Sequence, residues 1–502
     1  MYKKMSKTVS LILTLAVVFS AIFPVISLAN ENTDEVESFT KDVIETVQEY
    51  DANKDFELSE KKRNDFQTCR LIVRSKGSFD TCKAAEDITG FQDYHILQYK
   101  SEKETEQAYN SLKKCKNVYS VSPDEIIKQA ENDPDEDYPV SDKFPDTKNG
   151  HLCDWASEQT QSSYVVNYIN KNNLSKEEVI VAVLDDGVDY NHEFLKDRII
   201  RTHYNAAADG RTNDEFDTGS DPDYSGHGTA VSSVIVDNSP KNVKVANYKV
   251  YGDYEETSLV QIASTIIKVA EDKKNNISDT DIINLSLGGF DSEFFLKSAV
   301  DYADSQNIII VASAGNEMSD LLTVQITPAL YDNVIAVGAT DENGRVSVYS
   351  NEGIAVDISA PGTLIDVAYP NNKYRVWSGT SFSCPFVAGN IATVLSLHPD
   401  WSEKRIEDTL KKNAVPAYCY NTNGTMTSSS LNDWFDGVPN LNGAGLVQLG
   451  WLIDDKLPAK PHIENMPDII VNEALCTLSA DDGSDIYYTL DGTAPNKENG
   501  IL

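Results

Sequence analysis

Short apolar runs alternate with helix-like segments through the middle of this chain, and this alternation constrains the fold more than any other feature. Five runs are rich in Val, Ile and Leu: 179–184, 243–250, 281–287, 308–311 and 334–337. Between two of them, apolar residues recur at helical spacing at Leu259, Ile262, Ile266 and Val269. Continuous apolar runs separated by helices are typical of strands buried on both faces, so the pattern predicts an α/β domain with a parallel sheet and helices on both faces. In such a fold, functional side chains gather at the carboxyl ends of the strands.

The composition excludes several classes of partner. The 502-residue chain carries a formal net charge of −36. Nucleic acid and anionic membranes attract clustered basic residues, so this charge argues against both as partners. Seven scattered cysteines are too few for a disulfide-built scaffold, and no Cys/His cluster has the spacing of a zinc site. With 40% hydrophobic residues, the chain can build real cores, and its length predicts roughly two to four domains.

Residues 1–29 have the composition of a secretory signal peptide. Three lysines precede an apolar run from 9 to 26, and Ser27 and Ala29 are small residues where a signal peptidase requires them. The long apolar run would also suit an uncleaved membrane anchor, but Pro24 and the small-residue exit favour cleavage. The sequence therefore predicts export, to the medium or the cell surface, with no membrane span after signal cleavage.

The rest of the chain before residue 151 divides into three parts. An acidic segment spans 30–65, a small α+β unit spans 66–128, and an acidic linker with the expected processing region spans 129–150. The small unit is predicted to contain one helix and three strands, at 101–115, 71–73, 94–99 and 118–121. A small unit, an exposed acidic connector and a large domain are the layout of a proenzyme.

The large domain is predicted to span 151–452, and a further segment spans 458–502. That segment alternates apolar and polar residues, which indicates β-strands. Its length is less than half of the roughly 100 residues of a complete β-sandwich. The sequence therefore predicts a partial β-sandwich-like module at the carboxyl end.

A serine at a helix start is the first candidate for chemistry. Gly379-Thr380-Ser381 precedes apolar residues at helical spacing, and Pro385 falls in the first turn, where proline is tolerated. The unpaired N–H groups and the dipole at a helix start favour negative charge developing beside the hydroxyl. Alone, this pattern is more typical of an ordinary N-cap serine, so any chemistry depends on partners elsewhere.

Two residues supply candidate partners. Asp185 ends the first apolar run, and His227 lies between Gly226 and Gly228, which introduce another helix. A serine hydroxyl becomes nucleophilic when a base takes its proton, and imidazole titrates near neutrality. A carboxylate fixes the imidazole tautomer and stabilises the imidazolium. Asp185, His227 and Ser381 are thus the residue types that nucleophilic catalysis needs.

The segments around these three residues resemble the motifs of the subtilases, the subtilisin-like serine peptidases: Asp-x-Gly, Gly-His-Gly-Thr-x and Gly-Thr-Ser-x-x-x-Pro. The three residues also follow one another in the order Asp, His, Ser, which is the order in subtilisin itself. The resemblance covers about 165–452 and the small unit before it. It implies a secreted serine endopeptidase, made as an autoprocessed proenzyme and acting through an acyl-enzyme. Ser381 would attack the peptide carbonyl, His227 would take and return the proton, and Asp185 would orient His227.

The resemblance assigns an oxyanion donor and a substrate-binding edge. Asn316, in Ser313-Ala-Gly-Asn, matches the asparagine that donates its side-chain amide to the oxyanion, with the backbone N–H of Ser381 as second donor. An extended peptide is expected to lie along Ser286, Leu287 and Gly288 by strand addition, which gives backbone affinity with little demand on substrate sequence.

Asp186 departs from the commonest family pattern, which has Thr or Ser beside the catalytic aspartate. Asp-Asp-Gly resembles the kexin branch, in which the second aspartate contacts a basic substrate residue. Asp186 is therefore a candidate substrate-binding residue with a mild preference for Lys or Arg. In the alternative interpretation, Asp186 merely faces solvent at the strand end.

The resemblance also implies partners. Substrates would be proteins or peptides, and the 66–128 unit resembles the subtilase inhibitor pro-domain, which would assist folding and act as an intramolecular inhibitor. The chemistry needs no cofactor and no catalytic metal, whereas the family often carries structural calcium, for which no run here shows a definite ligand pattern. The alternative function is a catalytically silent subtilase-fold protein that binds or scaffolds at the cell surface, and it is disfavoured because all four site residues are present.

Overall fold

The computed structural model of the chain describes residues 67–124, 126–128, 140–145, 147, 150–206, 226–251, 256–289, 295–415, 417–420, 426–428, 442–456, 462–464 and 477–479. The predicted signal peptide and the acidic segment 30–65 lie outside these residues, as do most of the linker and most of the module at 458–502. The predictions for those segments therefore stay predictions.

The strands of the described residues are β1 Arg70–Ser75, β2 Glu86–Phe91, β3 Tyr94–Gln98, β4 Val118–Pro123, β5 Ile126–Lys128, β6 Val179–Asp185, β7 Ile199–Asn205, β8 Val243–Lys249, β9 Glu256–Ser258, β10 Thr280–Leu285, β11 Ile309–Ser313, β12 Ile335–Thr340, β13 Ile358–Pro361, β14 Ile365–Tyr369, β15 Lys373–Trp377, β16 Tyr418–Tyr420, β17 Met426–Ser428, β18 His462–Glu464 and β19 Thr477–Ser479. The helices are α1 Glu102–Leu112, α2 Asp154–Gln159, α3 Ser162–Asn172, α4 His227–Asp237, α5 Leu259–Lys274, α6 Phe295–Ser305, α7 Leu321–Val324, α8 Thr380–Leu397 and α9 Glu403–Asn413, followed by a 3₁₀ segment at Gly450–Lys456.

Seven parallel strands form the central sheet, in the order β13–β12–β11–β10–β6–β8–β7. The five apolar runs are β6, β8, β10, β11 and β12, so the predicted α/β class with a parallel sheet is confirmed. β8 and β7 lie on one side of β6, whereas β10, β11, β12 and β13 lie on the other, so the direction in which strands are added reverses between β8 and β10. Ligands of such sheets bind at this switch point, beyond the carboxyl ends of the strands. In this chain, Asp185 and Ser286 lie there, at and just after the ends of β6 and β10.

Successive residues of β6 enter two different cores. Val181 and Val183 pack in one hydrophobic cluster with α4 and α8, whereas Ala182 and Leu184 pack in another with α5 and α6. Because side chains of a strand alternate between faces, this division is what a sheet covered by helices on both faces requires. Helix α8 is long and apolar enough to cross a membrane, but it is buried in the first of these cores.

The small unit before the linker is an antiparallel sheet in the order β2–β3–β1–β4, with α1 on one face. Its predicted helix and three strands are confirmed, and Ser101 caps α1 by accepting a hydrogen bond from the N–H of Glu104 at 3.3 Å. The other face of the sheet carries Ile72, Tyr94 and Ile96, which belong to the core cluster of α5 and α6. The rings of Tyr94 and Phe295 lie 5.2 Å apart. The unit is thus packed on the outer surface of two helices of the large domain.

Candidate active site

Asp185 and His227 form a buried pair at the switch point of the sheet. The Nδ1 atom of His227 lies 2.9 and 3.0 Å from the two carboxylate oxygens of Asp185, and both residues are at most 5% exposed. A carboxylate only accepts at neutral pH, so Nδ1 carries the proton in this pair and Nε2 keeps its lone pair. The pair therefore presents a base whose tautomer is fixed.

Two glycines allow the pair to form. His227 is the first residue of α4, and Gly226 before it has a φ of 81°, a left-handed conformation that favours glycine. At Gly228, a Cβ atom would lie only 2.1 Å from the carbonyl oxygen of Gly187. The start of α4 can approach the segment after β6 this closely only because residue 228 has no side chain.

The structure corrects the interpretation of Asp186. This residue is 2% exposed, so it does not face solvent. Its two carboxylate oxygens accept hydrogen bonds from the backbone N–H groups of His227, at 3.3 Å, and Gly228, at 2.7 Å. A carboxylate at the first turn of α4 satisfies N–H groups that the helix leaves unpaired and also favours its dipole. Asp186 therefore caps the helix that carries His227, and the predicted contact with a basic substrate residue stays a prediction.

Replacing Asp186 with Asn should move the acid limb of the kcat/KM profile to lower pH. Burial raises the pKa of Asp185 to about 6; the His227 ring opposes this rise, and the charge of Asp186 adds to it. The catalysis that the family resemblance implies needs an ionised Asp185, so activity is expected to fall as the pH falls through that range. Removing the charge of Asp186 lowers the pH at which this loss occurs. We expect a shift of about half a pH unit, measured between pH 5 and 8.

The control for this shift is Asp189→Asn. Asp189 lies just after the motif, and its carboxylate accepts hydrogen bonds from the N–H groups of Asn191 and Asn371. The substitution changes a carboxylate of similar hydrogen bonding without removing the charge beside Asp185. Equal shifts in the two variants would contradict the electrostatic role of Asp186.

Ser381 is the second residue of α8, beside the carboxyl end of β10. Its Oγ donates to the carbonyl oxygen of Ser286 at 3.3 Å, and its own carbonyl oxygen accepts from Ser286 Oγ at 2.7 Å. The ring of His227 lies 5.7 Å, between centroids, from the ring of Phe382, the next residue after Ser381. The predicted base and the predicted nucleophile are thus brought to the same end of the sheet.

Asn316 follows β11 and is held by the residue before Ser381. Its Oδ1 accepts hydrogen bonds from the backbone N–H of Thr380, at 3.0 Å, and from Thr380 Oγ1, at 2.9 Å. With the amide oxygen engaged, the amide nitrogen is left as the group that can donate. A Cβ atom at Gly379 would lie 3.6 Å from Asn316 Nδ2 and 3.7 Å from the backbone N of Ser381. One small group can therefore lie near both nitrogen atoms.

The predicted substrate-binding edge passes beside Ser381, but its side chains point inward. Ser286 and Leu287 are only 4% and 5% exposed. A Cβ atom at Gly288 would lie 2.6 Å from Ile326 Cγ2, so this position also leaves no room for a side chain. At Gly289, the N–H and the carbonyl group pair with Thr327. Any contact of this edge with a peptide would therefore be made by its backbone.

Sequence reasoning missed the aromatic and polar side chains around these residues. Trp377, at the end of β15, has its ring 5.7 Å from His227 in an edge-to-face arrangement and 5.4 Å from Phe382. Thr380 lies inside the Gly-Thr-Ser motif, whose sequence pattern assigns it no role of its own. Hairpin β14–β15 itself gave no clear pattern, because its strands mix charged and apolar residues.

The described residues offer no candidate metal centre. No group of three or more His, Cys, Asp or Glu side chains is arranged to hold a metal ion in the part of the chain that the structure describes. Calcium also binds backbone carbonyl and side-chain amide oxygens, so the structural calcium that the family resemblance implies stays a prediction.

Comparison with known proteins identifies relatives. A model of the subtilase family matches residues 176–445, more than half of the chain. Subtilisin E of Bacillus subtilis and subtilisin of Bacillus pumilus are each 34% identical to this chain over 243 residues, or 47% of its length. The matched region spans 60% of the first relative, which is less than two thirds of its length, and 84% of the second. The crystal structure of a lanthipeptide protease has a TM-score of 0.48 and 23% identity, covering 59% of this chain and 92% of that one.

Proposed function

The chain belongs to the subtilase family, and from this premise we propose that it is a serine endopeptidase that cleaves peptide bonds through an acyl-enzyme. The observation that carries the proposal is the bond between His227 Nδ1 and Asp185, because it places the ring proton on Nδ1 and so makes Nε2 the nitrogen that acts as the base. A fluorophosphonate probe should label Ser381 once the small unit has been released, as detected by mass spectrometry of the purified large domain. Absence of labelling would argue for the alternative, a catalytically silent scaffold.

The proposed reaction uses the side chains in sequence. His227 Nε2 takes the proton of Ser381 Oγ while the oxygen attacks the peptide carbonyl carbon. The carbonyl oxygen becomes an oxyanion, to which Asn316 Nδ2 and the backbone N–H of Ser381 donate. His227 then gives its proton to the leaving amine, and a water molecule hydrolyses the ester by the same steps. An asparagine donor of this kind is worth about 3 to 4 kcal/mol, a value measured in subtilisin itself.

We propose that the substrate is an extended protein or peptide that adds as a strand beside Ser286, Leu287 and Gly288. The described structure contains such a strand from the chain itself. β5 pairs antiparallel with β9, and Ile127 is 8% exposed. A Cβ atom at Gly289 would lie 2.7 Å from Ile127 Cδ1. β5 is therefore a strand that pairs with β9 and contacts Gly289, the residue after the predicted substrate edge.

The small unit would act as an intramolecular inhibitor until it is removed. Asp124, just before β5, is fully buried and accepts a hydrogen bond from the N–H of Val260, in the first turn of α5, at 3.0 Å. Arg70 neutralises this carboxylate at 2.7 Å and also donates to Ser258 at 3.0 Å. A buried ion pair that also caps a helix of the large domain fixes the position of β5 beside Gly289.

Replacing Ile127 with Asp should release the small unit earlier. The substitution places a charge in an apolar contact beside Gly289, and burying a charge without a partner is costly. In the full-length chain, we expect the lag before peptidase activity to shorten by about tenfold, an effect of about 1.4 kcal/mol on retention of the unit. The lag is measured with a chromogenic peptide, and retention by co-elution in gel filtration.

The matched control is Tyr119→Asp, on β4 of the same unit. Tyr119 is 61% exposed, so a charge there is solvated. This variant should keep the lag of the unchanged chain. A lag that is equally short in both variants would mean that unfolding of the unit, and not loss of the Ile127 contact, sets the rate of release.

We propose that the protein is exported and that the cleaved form is extracellular or attached to the cell surface. Residues 1–29, which support this proposal, lie outside the described residues. Sequencing the amino terminus of the protein recovered from the medium tests it. Structural calcium stays a prediction from the family resemblance, and a rise in Tm on adding CaCl₂ to the chelated protein would support it.

A further inference from the structure

The peptide carbonyl of Ser381 is an acceptor that helix α8 cannot satisfy by itself. In an α-helix, this oxygen would accept from the N–H four residues later. That residue is Pro385, which has no N–H. The hydroxyl of Ser286 donates to the Ser381 carbonyl instead, at 2.7 Å. The peptide group of the proposed nucleophile is therefore held by a side chain outside its own helix.

The single hydroxyl proton of Ser286 determines the orientation of the Asn284 side chain. Ser286 Oγ has one proton, and because that proton is given to Ser381, the oxygen can only accept elsewhere. Asn284 Nδ2 lies 3.1 Å away and donates to it. With its nitrogen directed to Ser286, Asn284 turns Oδ1 towards the Sγ atom of Cys384, 3.2 Å away. Asn284 and Cys384 are 0% exposed and Ser286 is 4% exposed, so these groups depend on one another.

Cys384 closes the network on the helix that carries the nucleophile. It lies three residues after Ser381, about one turn along α8. Burial raises the pKa of the Cys384 thiol, so the thiol remains protonated at neutral pH and can serve as a donor. The order of donation is Cys384 to Asn284, Asn284 to Ser286, and Ser286 to Ser381.

We propose that Cys384 is a positioning residue, whose thiol fixes the Asn284 amide so that Ser286 holds the peptide group of Ser381. This inference rests on the proposed peptidase function. A thiol is a weak donor, so a hydroxyl can replace it, whereas a methyl group would leave Asn284 Oδ1 without a partner. Cys384 itself takes no part in bond making or breaking.

The test compares Cys384→Ser and Cys384→Ala in the full chain, with rates corrected for the fraction labelled by a fluorophosphonate. We expect Ala to lower kcat by about tenfold with KM within about twofold, and Ser to remain within about threefold of the unchanged chain. Cys384→Val, which keeps bulk without a donor, replaces the alanine variant if that does not fold. The control is Cys153→Ala, because Cys153 is also buried, at 1% exposure, but lies in the core beside α2. It should lower Tm and leave kcat unchanged.

A double-mutant cycle separates a network from two independent defects. Ser286→Ala removes the last donor, so adding Cys384→Ala to it should change kcat by less than about twofold. A double variant whose loss equals the product of the two single losses overturns the inference, as does an alanine variant with unchanged kcat. If the unchanged chain is not labelled at Ser381 after its small unit has been released, the peptidase function fails as well. Labelling with no effect of Cys384 would overturn only the positioning role.

Discussion

Ser381→Ala should abolish peptide hydrolysis, with a fall in kcat of about 10⁴- to 10⁶-fold. Losses of this size are known for single triad residues in subtilisin itself. The substitution removes the oxygen that attacks the carbonyl but leaves the Asp185–His227 pair and Asn316 in place. The same variant should keep its amino-terminal unit attached, because autoprocessing needs the same hydroxyl. Activity is measured with a chromogenic peptide, and processing by mass spectrometry.

The control is Ser383→Ala, two residues further along α8. Ser383 is buried, and its Oγ donates to the carbonyl oxygen of Pro361 at 3.2 Å. Losing this hydrogen bond should cost about 1 kcal/mol of stability and leave processing intact. Release of the unit in the Ser381→Ala variant at the unchanged rate would favour the scaffold function, or cleavage by another enzyme.

Gly228→Ala should be the most damaging change that adds only one methyl group. The new Cβ atom would lie 2.1 Å from the carbonyl oxygen of Gly187 and 2.8 Å from Oδ1 of Asp186. Backbone cannot yield as a flexible side chain does, so the first turn of α4 must move and carry His227 with it. A displacement of about 1 Å in a catalytic group costs about 100-fold in rate, and we expect at least that loss of kcat.

Gly344→Ala tests whether the effect depends on the close approach. Gly344 has a φ of 70°, but its added Cβ atom would meet only Gln159 Nε2, at 3.9 Å. Backbone strain alone should therefore cost about 1 kcal/mol, visible as a lower Tm with unchanged kcat. Crystallography of the Gly228 variant would show whether His227 has moved from Asp185, and an unmoved pair with full activity would refute the prediction.

The sequence was sufficient for the elements whose pattern reflects burial. The runs that became β6, β8, β10, β11 and β12 are continuous and apolar because both faces of the sheet are covered. The edge strands β7 and β13 were not predicted. β7 includes the exposed Arg201 and other polar residues, whereas β13 is buried but has only four residues, among them Ser359 and Pro361. β2 was missed for a similar reason, because its sequence begins with Glu86 and Asp87.

The candidate site was predictable where the chain places a reactive residue at a strand end or a helix start. Asp185, His227 and Asn316 all follow that rule. The role of Asp186 was not predictable, because neighbouring carboxylates in a sequence do not reveal which one meets a helix that begins some forty residues later. The network through Cys384 was not predictable for the same reason, because it joins side chains that are 100 residues apart in the sequence.

The all-parallel sheet has a consequence for how long the protein survives. Pairing β6 with β8 joins residues more than sixty positions apart, such as Val179 and Val243, so the sheet closes only after long loops have been ordered. The antiparallel unit at 67–124 has more local contacts and can offer Ile72 and Tyr94 as a folding surface for α5 and α6. After the proposed removal of that unit, the remaining domain would refold slowly without it. We expect its lifetime in denaturant to be set by its rate of unfolding, so that unfolding after that removal is irreversible.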